Sequence, residues 1–186
     1  MYKSETSLYR DLLVGYCKGY GLDIGYGGDP IKPSAITIDN PEGDMAHCGD
    51  HPLNLGGDAR QLKWLQDNSL DYVYSSHCLE DFEDTREVML EWLRVLKRGG
   101  KLVLLLPDQS RYEAFCKKRN ILPNEAHKIK EFSLLYIKQI AGGISTAKVI
   151  FEKDNLGDYN FAIVIEKTKE ISIFQRLLYV IGRAGK

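Results

Sequence analysis

The chain of 186 residues contains no apolar run near the roughly 20 residues that would cross a bilayer. Met1 to Arg10 is polar and charged and has no continuous apolar core of a secretory leader, so the cytoplasm is the expected compartment. Charge of one sign is also missing. The formal net charge is −1, which leaves no global basic surface for duplex DNA or RNA, and no nucleic-acid partner is expected. The four cysteines, Cys17, Cys48, Cys78 and Cys116, form no C-x-x-C pair. They are expected as reduced, mostly buried small apolar residues. Internal repeats and low-complexity stretches are absent. The length suits a single domain spanning 1–186 with a proper core.

One dense cluster of metal-ligating types occurs, His47-Cys48-Gly49-Asp50-His51. A second cluster at zinc-module spacing is missing, so no metal is assigned.

The most informative stretch is Leu22-Asp23-Ile24-Gly25-Tyr26-Gly27-Gly28-Asp29, followed by Ala35-Ile36-Thr37-Ile38-Asp39. It reads as a buried strand, a glycine turn and a second strand ending in a carboxylate. Glycines at a strand exit admit a ligand where a Cβ would collide, and a carboxylate at the next strand end can accept ribose hydroxyls. A dinucleotide site needs a third glycine, and Pro30 stands there instead. Proline donates no N–H and makes a poor pyrophosphate cradle. No Gly-Lys-Ser/Thr comes after the turn, which excludes a P-loop. The acids Asp23 and Asp29 around the turn suit a cationic ligand. S-adenosylmethionine, with a sulfonium, an ammonium, a ribose and no phosphate, matches that pattern.

Here the chain resembles the class I S-adenosylmethionine-dependent methyltransferases, type 11-like. Leu53 to Ala59 is similar to the third strand ending in Gly57-Asp58-Ala59, and Ser69 to Asp81 to the fourth strand and the start of its helix. Arg94-Val95-Leu96-Lys97-Arg98-Gly99-Gly100 is similar to the turn into the fifth strand, with Arg98 where proline is usual. The motifs run in order over about residues 18–110. The resemblance implies a Rossmann-like, doubly wound α/β fold: a mostly parallel seven-stranded sheet, helices on both faces, and an antiparallel C-terminal hairpin. It also implies cofactor-binding residues. Gly25, Tyr26 and Gly27 border the methionine part, with Asp23 near its amino group. Asp39, followed by Asn40, binds the ribose. Asp58 and Ala59 border adenine, and Ser76 and His77 close the donor site. Tyr26 and Asp81 depart from the common family pattern.

Strands are expected at about 21–24, 35–39, 53–56, 71–75 and 101–106. Helices are expected over Ser4–Cys17, Asp84–Leu96, Ser110–Arg119 and Glu131–Ile140, the second ending at Gly99-Gly100. Lys148–Glu152 and Phe161–Lys167 read as a hairpin around Gly157-Asp158. The cofactor core spans about 18–110, a lid or substrate region about 110–147, and the hairpin and tail 148–186. The stretch Ile171 to Gly182 carries Phe174, Leu177, Leu178 and Ile181 with Arg176 and Arg183 nearby. Packing on its own domain or on a second subunit is favoured over an interfacial membrane helix, so a homodimer is the expected protein partner.

Methyl transfer from a sulfonium needs alignment and water exclusion more than covalent catalysis. A hydroxyl acceptor also needs a base. His127, in the loop after the fifth strand's helix, ranks first as that base, ahead of Asp108 and His77. The expected activity is methylation, at O or N, of a small molecule or glycan. The alternatives are a binding or assembly module that holds S-adenosylmethionine without turnover, and a nucleotide-dependent oxidoreductase, against which Pro30 and the early Asp39 count.

Overall fold

A computed structural model describes residues 4–42 and 51–169. Seven strands form one sheet: β1 (Gly21–Ile24), β2 (Ile36–Asp39), β3 (Leu55–Gly56), β4 (Leu70–Ser76), β5 (Leu96–Pro107), β6 (Ala147–Leu156) and β7 (Asn160–Lys167). Their spatial order is β3-β2-β1-β4-β5-β7-β6. β1 to β5 are parallel, and β7 is antiparallel to both β5 and β6. The order reverses between β1 and β4, the switch point where open α/β sheets bind ligands outside the carboxyl ends of their strands.

Both faces are covered, which is why the central strands are near-continuously apolar. Leu22, Ile24, Val73, Leu102, Leu104, Leu106 and Ile163 pack on one face against α2 (Thr85–Val95) and α4 (Leu134–Gly142), through Trp92, Leu93 and Ile137. Tyr72, Tyr74, Val103, Leu105 and Val164 pack on the other against Leu13 of α1 (Glu5–Leu13), Cys17, Ile31 and Ala35. Side chains alternate between faces along a strand, so β5 feeds both clusters. The remaining helix, α3 (Gln109–Arg119), starts at an Asp108 cap and ends at Asn120 in the left-handed region.

The start of β5 differs from expectation. α2 ends at Val95, and β5 begins at the next residue rather than at Lys101. Leu96 pairs with Leu70 and Lys101 with Tyr72, so Lys97 to Gly100 form a bulge at the start of β5. Gly99, at φ +79°, serves that bulge and not a helix cap. Between β1 and β2 there is no helix, and residues 25–35 cross over as turns. Most parallel connections place a helix there. The tail from residue 170 and the His47-to-Asp50 part of the ligand-rich loop lie outside the described residues.

Candidate active site

The glycine turn leaves β1 at the switch point. Gly25 has φ +66° and Gly27 φ +55°. A Cβ on Gly25 would stand 2.7 Å from Cys78 Cβ and 2.9 Å from its sulfur. The close approach that requires glycine at 25 is therefore made by the chain's own loop after β4. Asp39, half-buried at the end of β2, accepts the Gly27 amide at 3.2 Å and the Asn40 amide at 2.8 Å. These two bonds aim its carboxylate across the turn and leave further lone pairs for a ligand diol.

Asp23 is fully buried and does not open onto the crevice. It accepts the Ile31 amide at 2.5 Å, and burial drives its carboxyl well above the usual carboxylate range. It braces the helix-free crossover from inside. The crossover is also held by Arg10 and Ser4 of the first helical segment, both bonded to Asp29. Lys32 Nζ adds bonds to the carbonyls of Cys17 at 2.7 Å and Gly19 at 2.9 Å. Tyr26 is buried, and its hydroxyl donates to the His51 carbonyl at 3.0 Å. Asp58 is exposed and meets Arg60 side-on at 2.8–3.0 Å. Ala59 is fixed beneath it by the Trp92 indole, which donates to the Ala59 carbonyl at 2.8 Å. Ser76 is buried at the end of β4.

The three candidate bases have different fates. Asp108 caps α3: its Oδ1 accepts the Arg111 amide at 3.1 Å and the Ser110 hydroxyl at 2.8 Å, and Arg111 Nε lies 3.5 Å away. These are a helix-capping carboxylate's contacts. His77 and His127, far apart in sequence, instead converge on one residue that sequence reasoning missed. Glu80 is 1% exposed, and neither of its oxygens has a hydrogen-bond partner among the described residues. Its Oε1 lies 3.8 Å from His77 Nδ1 and 3.7 Å from His127 Nε2.

The outer contacts set both tautomers. Asn160 donates to Glu5 at 2.8 Å, so the Asn160 oxygen faces His77 Nε2, also at 2.8 Å. Gln109 donates to Glu113 at 2.9 Å, so its oxygen faces His127 Nδ1 at 2.7 Å. Each outer ring nitrogen is then the N–H, and each inner nitrogen carries a lone pair toward Glu80. Burial lowers the pKa of both rings, His127 to about 4 with His77 adding to the effect. Burial, with Asp81 beside it, pushes Glu80 well above the usual carboxylate range. Burial also raises the Asp81 carboxyl to about 6, against the pull of Lys128. Burial thus disfavours the charged form of all three groups, the two imidazoles and the carboxyl between them. Tyr112 stacks on His127 at a 4.8 Å centroid separation, and Tyr159 meets both Tyr112 and His77 edge-on. The signal available in the sequence was the Leu79-Glu80-Asp81 run, a pair of acids just past a strand end.

The crevice has acids at two strand tips and no helix N-terminus after the glycine turn. That donor set fits a cationic sulfur nucleoside and gives a pyrophosphate nothing to sit on. Comparison with known proteins agrees. The family described as "Methyltransferase domain" matches residues 32–104. Over that stretch the chain is similar to a methyltransferase domain. Its fold is similar to that of a Pyrococcus horikoshii protein (20% identity, TM-score 0.66, covering 87% of this chain and 88% of the other). It is also similar to a Thermotoga maritima S-adenosylmethionine-dependent methyltransferase, described as a possible histamine N-methyltransferase (20%, TM-score 0.64, covering 87% and 89%). A third similar structure is an Archaeoglobus fulgidus S-adenosylmethionine-dependent methyltransferase (20%, TM-score 0.66, covering 87% and 92%). No curated protein matches the chain.

Proposed function

We propose that the protein methylates an oxygen or nitrogen of a small molecule or glycan, with His77 as the base. One observation carries this reading. His77 Nδ1 has no hydrogen-bond partner among the described residues, burial lowers the ring's pKa, and its side chain is 22% exposed next to the glycine turn. His127 is ranked below it, because Gln109 takes one nitrogen and the other faces buried Glu80 with the side chain only 5% exposed. Asp108 ranks last, as its carboxylate already caps a helix.

S-adenosylmethionine supplies a methyl already activated on a sulfonium. Gly25, Tyr26 and Gly27 would border its methionine part, Asp39 and Asn40 its ribose, Asp58 and Ala59 its adenine, and Ser76 the reacting end. Asp23 acts only by bracing the turn. His77 Nδ1 takes the acceptor's proton, and Asn160, anchored by Glu5, holds the ring's other N–H. Charge arriving on His77 eases ionisation of Glu80 3.8 Å away. The segment from α3 to α4 would face the acceptor and keep out water. We place the protein in the cytoplasm on the same footing.

His77→Asn should lower methyl transfer about 10²–10⁴-fold while S-adenosylhomocysteine still binds, measured by calorimetry. Asp39→Ala should lose the ligand itself. Unchanged turnover in His77→Asn would sink the assignment of the base. Tight ligand binding with no product from any acceptor screened would favour a module that holds the donor without turnover.

A further inference from the structure

The opposite end of the sheet carries a groove of about 580 Å³ that methyl transfer does not use. That volume lies in the range of small-molecule sites. Lys18, Lys97, Arg98 and Lys101 line it against a single carboxylate, Asp71. The carboxylate is already taken: one oxygen accepts Lys97 Nζ at 2.6 Å and the other accepts the Tyr20 amide at 2.9 Å. Lys101 donates to the Gly99 carbonyl at 2.9 Å and lies 3.6 Å from Glu166. Lys18 and Arg98 are exposed, and among the described residues neither has a carboxylate partner. A chain of net charge −1 thus gathers an excess of cationic side chains in one concavity.

The groove's walls are bare where a ligand would lie. Gly15 and Gly99 both line it, and a Cβ built on either would meet no neighbouring protein atom within 4 Å. Gly99 is also set by its φ of +79°, but nothing in the packing around Gly15 asks for a glycine. Missing side chains leave backbone that a ligand can approach closely. Arg98 belongs to the bulge that opens β5, at the position where the family resemblance expects proline. A guanidinium can bind two phosphate oxygens at once, and lysines beside it add point charges. The donor crevice sets its glycines among acids, which suits a sulfonium. This groove sets its glycines among cationic side chains, which suits linked phosphates.

We propose that the groove binds a small, soluble polyphosphate, with two or more linked phosphate groups, at a site separate from the donor crevice. Lys18 and Arg98 make the main contacts, with Lys97 and Lys101 on the flank. The proposal does not depend on which residue is the base or what the acceptor is. The groove joins three segments: the approach to β1 at Gly19, the start of β4 at Asp71 and the bulge of β5. The far ends of the same three strands lead into Gly25, His77 and Asp108. A bound polyphosphate therefore ties together the strands that carry the crevice.

The test is calorimetric titration of the full chain with inorganic triphosphate, pyrophosphate and orthophosphate, at low and high salt. Triphosphate and pyrophosphate should bind more tightly than orthophosphate, and binding should weaken as salt rises. Triphosphate should also raise the melting temperature in proportion to its occupancy. The double variant Lys18→Gln with Arg98→Gln should bind triphosphate at least about tenfold more weakly. Its S-adenosylhomocysteine affinity should equal the parent's, which shows that it is folded. Lys63→Gln with Lys153→Gln removes the same charge from exposed positions outside the groove and should bind triphosphate as the parent does. No saturable binding of triphosphate, or equal losses in the two double variants, would overturn the proposal. Displacement of S-adenosylhomocysteine by triphosphate would put the anion in the donor crevice and overturn it too. Binding to phosphatidic acid vesicles or to single-stranded RNA, with none to free triphosphate, would give the groove to a lipid headgroup or a nucleic acid instead.

Discussion

The two ends of the strands handle charge in opposite ways. At the carboxyl ends, carboxyls are buried and their charged forms disfavoured: Glu80 and Asp23 lie inside with an unbonded oxygen each or more. At the amino ends, cationic side chains lie in water or are wrapped in oxygen. Lys167 is 1% exposed, yet its ammonium donates to Asn68 at 2.7 Å and to the carbonyls of Leu96 at 2.7 Å and Arg94 at 3.1 Å. Burial without partners gives titratable groups suited to moving protons, while burial with full partners gives a rivet.

That contrast can be broken or sharpened, the largest effect first. Lys167→Met should cost about 3–5 kcal/mol, because it strips three acceptors of their donor, and denaturant melts would show it. Gly25→Ala combines a left-handed backbone with a collision against Cys78, and should cost about 2–4 kcal/mol in the same melts. Pairing it with Cys78→Gly should recover part of the loss.

Glu80→Gln should act the other way and depend on pH. A carboxyl whose folded pKa is raised favours folding below its unfolded value, and that contribution is lost as pH rises through the folded one. As pH rises from the ordinary carboxylate range through the raised folded pKa, the parent should therefore lose stability relative to the variant, by about 1–3 kcal/mol in all. His127, lowered to about 4, has the opposite sign. Its contribution is full above about pH 6.5 and fades as pH falls toward 4. Equal pH profiles for parent and Glu80→Gln would show that Glu80 is not held neutral. Smallest of all, Lys97→Ala should change stability by under about 0.5 kcal/mol. Its partner Asp71 is lowered chiefly by their hydrogen bond, but both side chains are a third or more exposed and solvent screens the pair.

Much of this architecture was legible in the residues themselves. Every expected strand formed, because four-residue apolar runs between turn residues have few other uses. The antiparallel hairpin at Gly157-Asp158 and the switch-point crevice came from order alone. What escaped was long-range. Nothing near Glu80 announces that His127 will pack against it, since that contact needs the loop after α3 to fold back under β4. Asp108 carried a base's chemistry in the sequence, and the helix that starts beside it claimed the carboxylate. The early start of β5 escaped because Leu96 continues the helical period of α2 while pairing as a strand.

The crossover after β1 bears on how any ligand seats at the glycine turn. With no helix packed beneath it, the glycine turn is fastened at a few points: Asp23 from below, Arg10 and Ser4 from the first helical segment, and Lys32 at the side. Such a segment opens locally at a fraction of the cost of unfolding the sheet. Ligand affinity then includes the work of closing it. Side chains well upstream of the turn, Ser4 and Arg10 among them, would set how tightly a ligand at the turn is held.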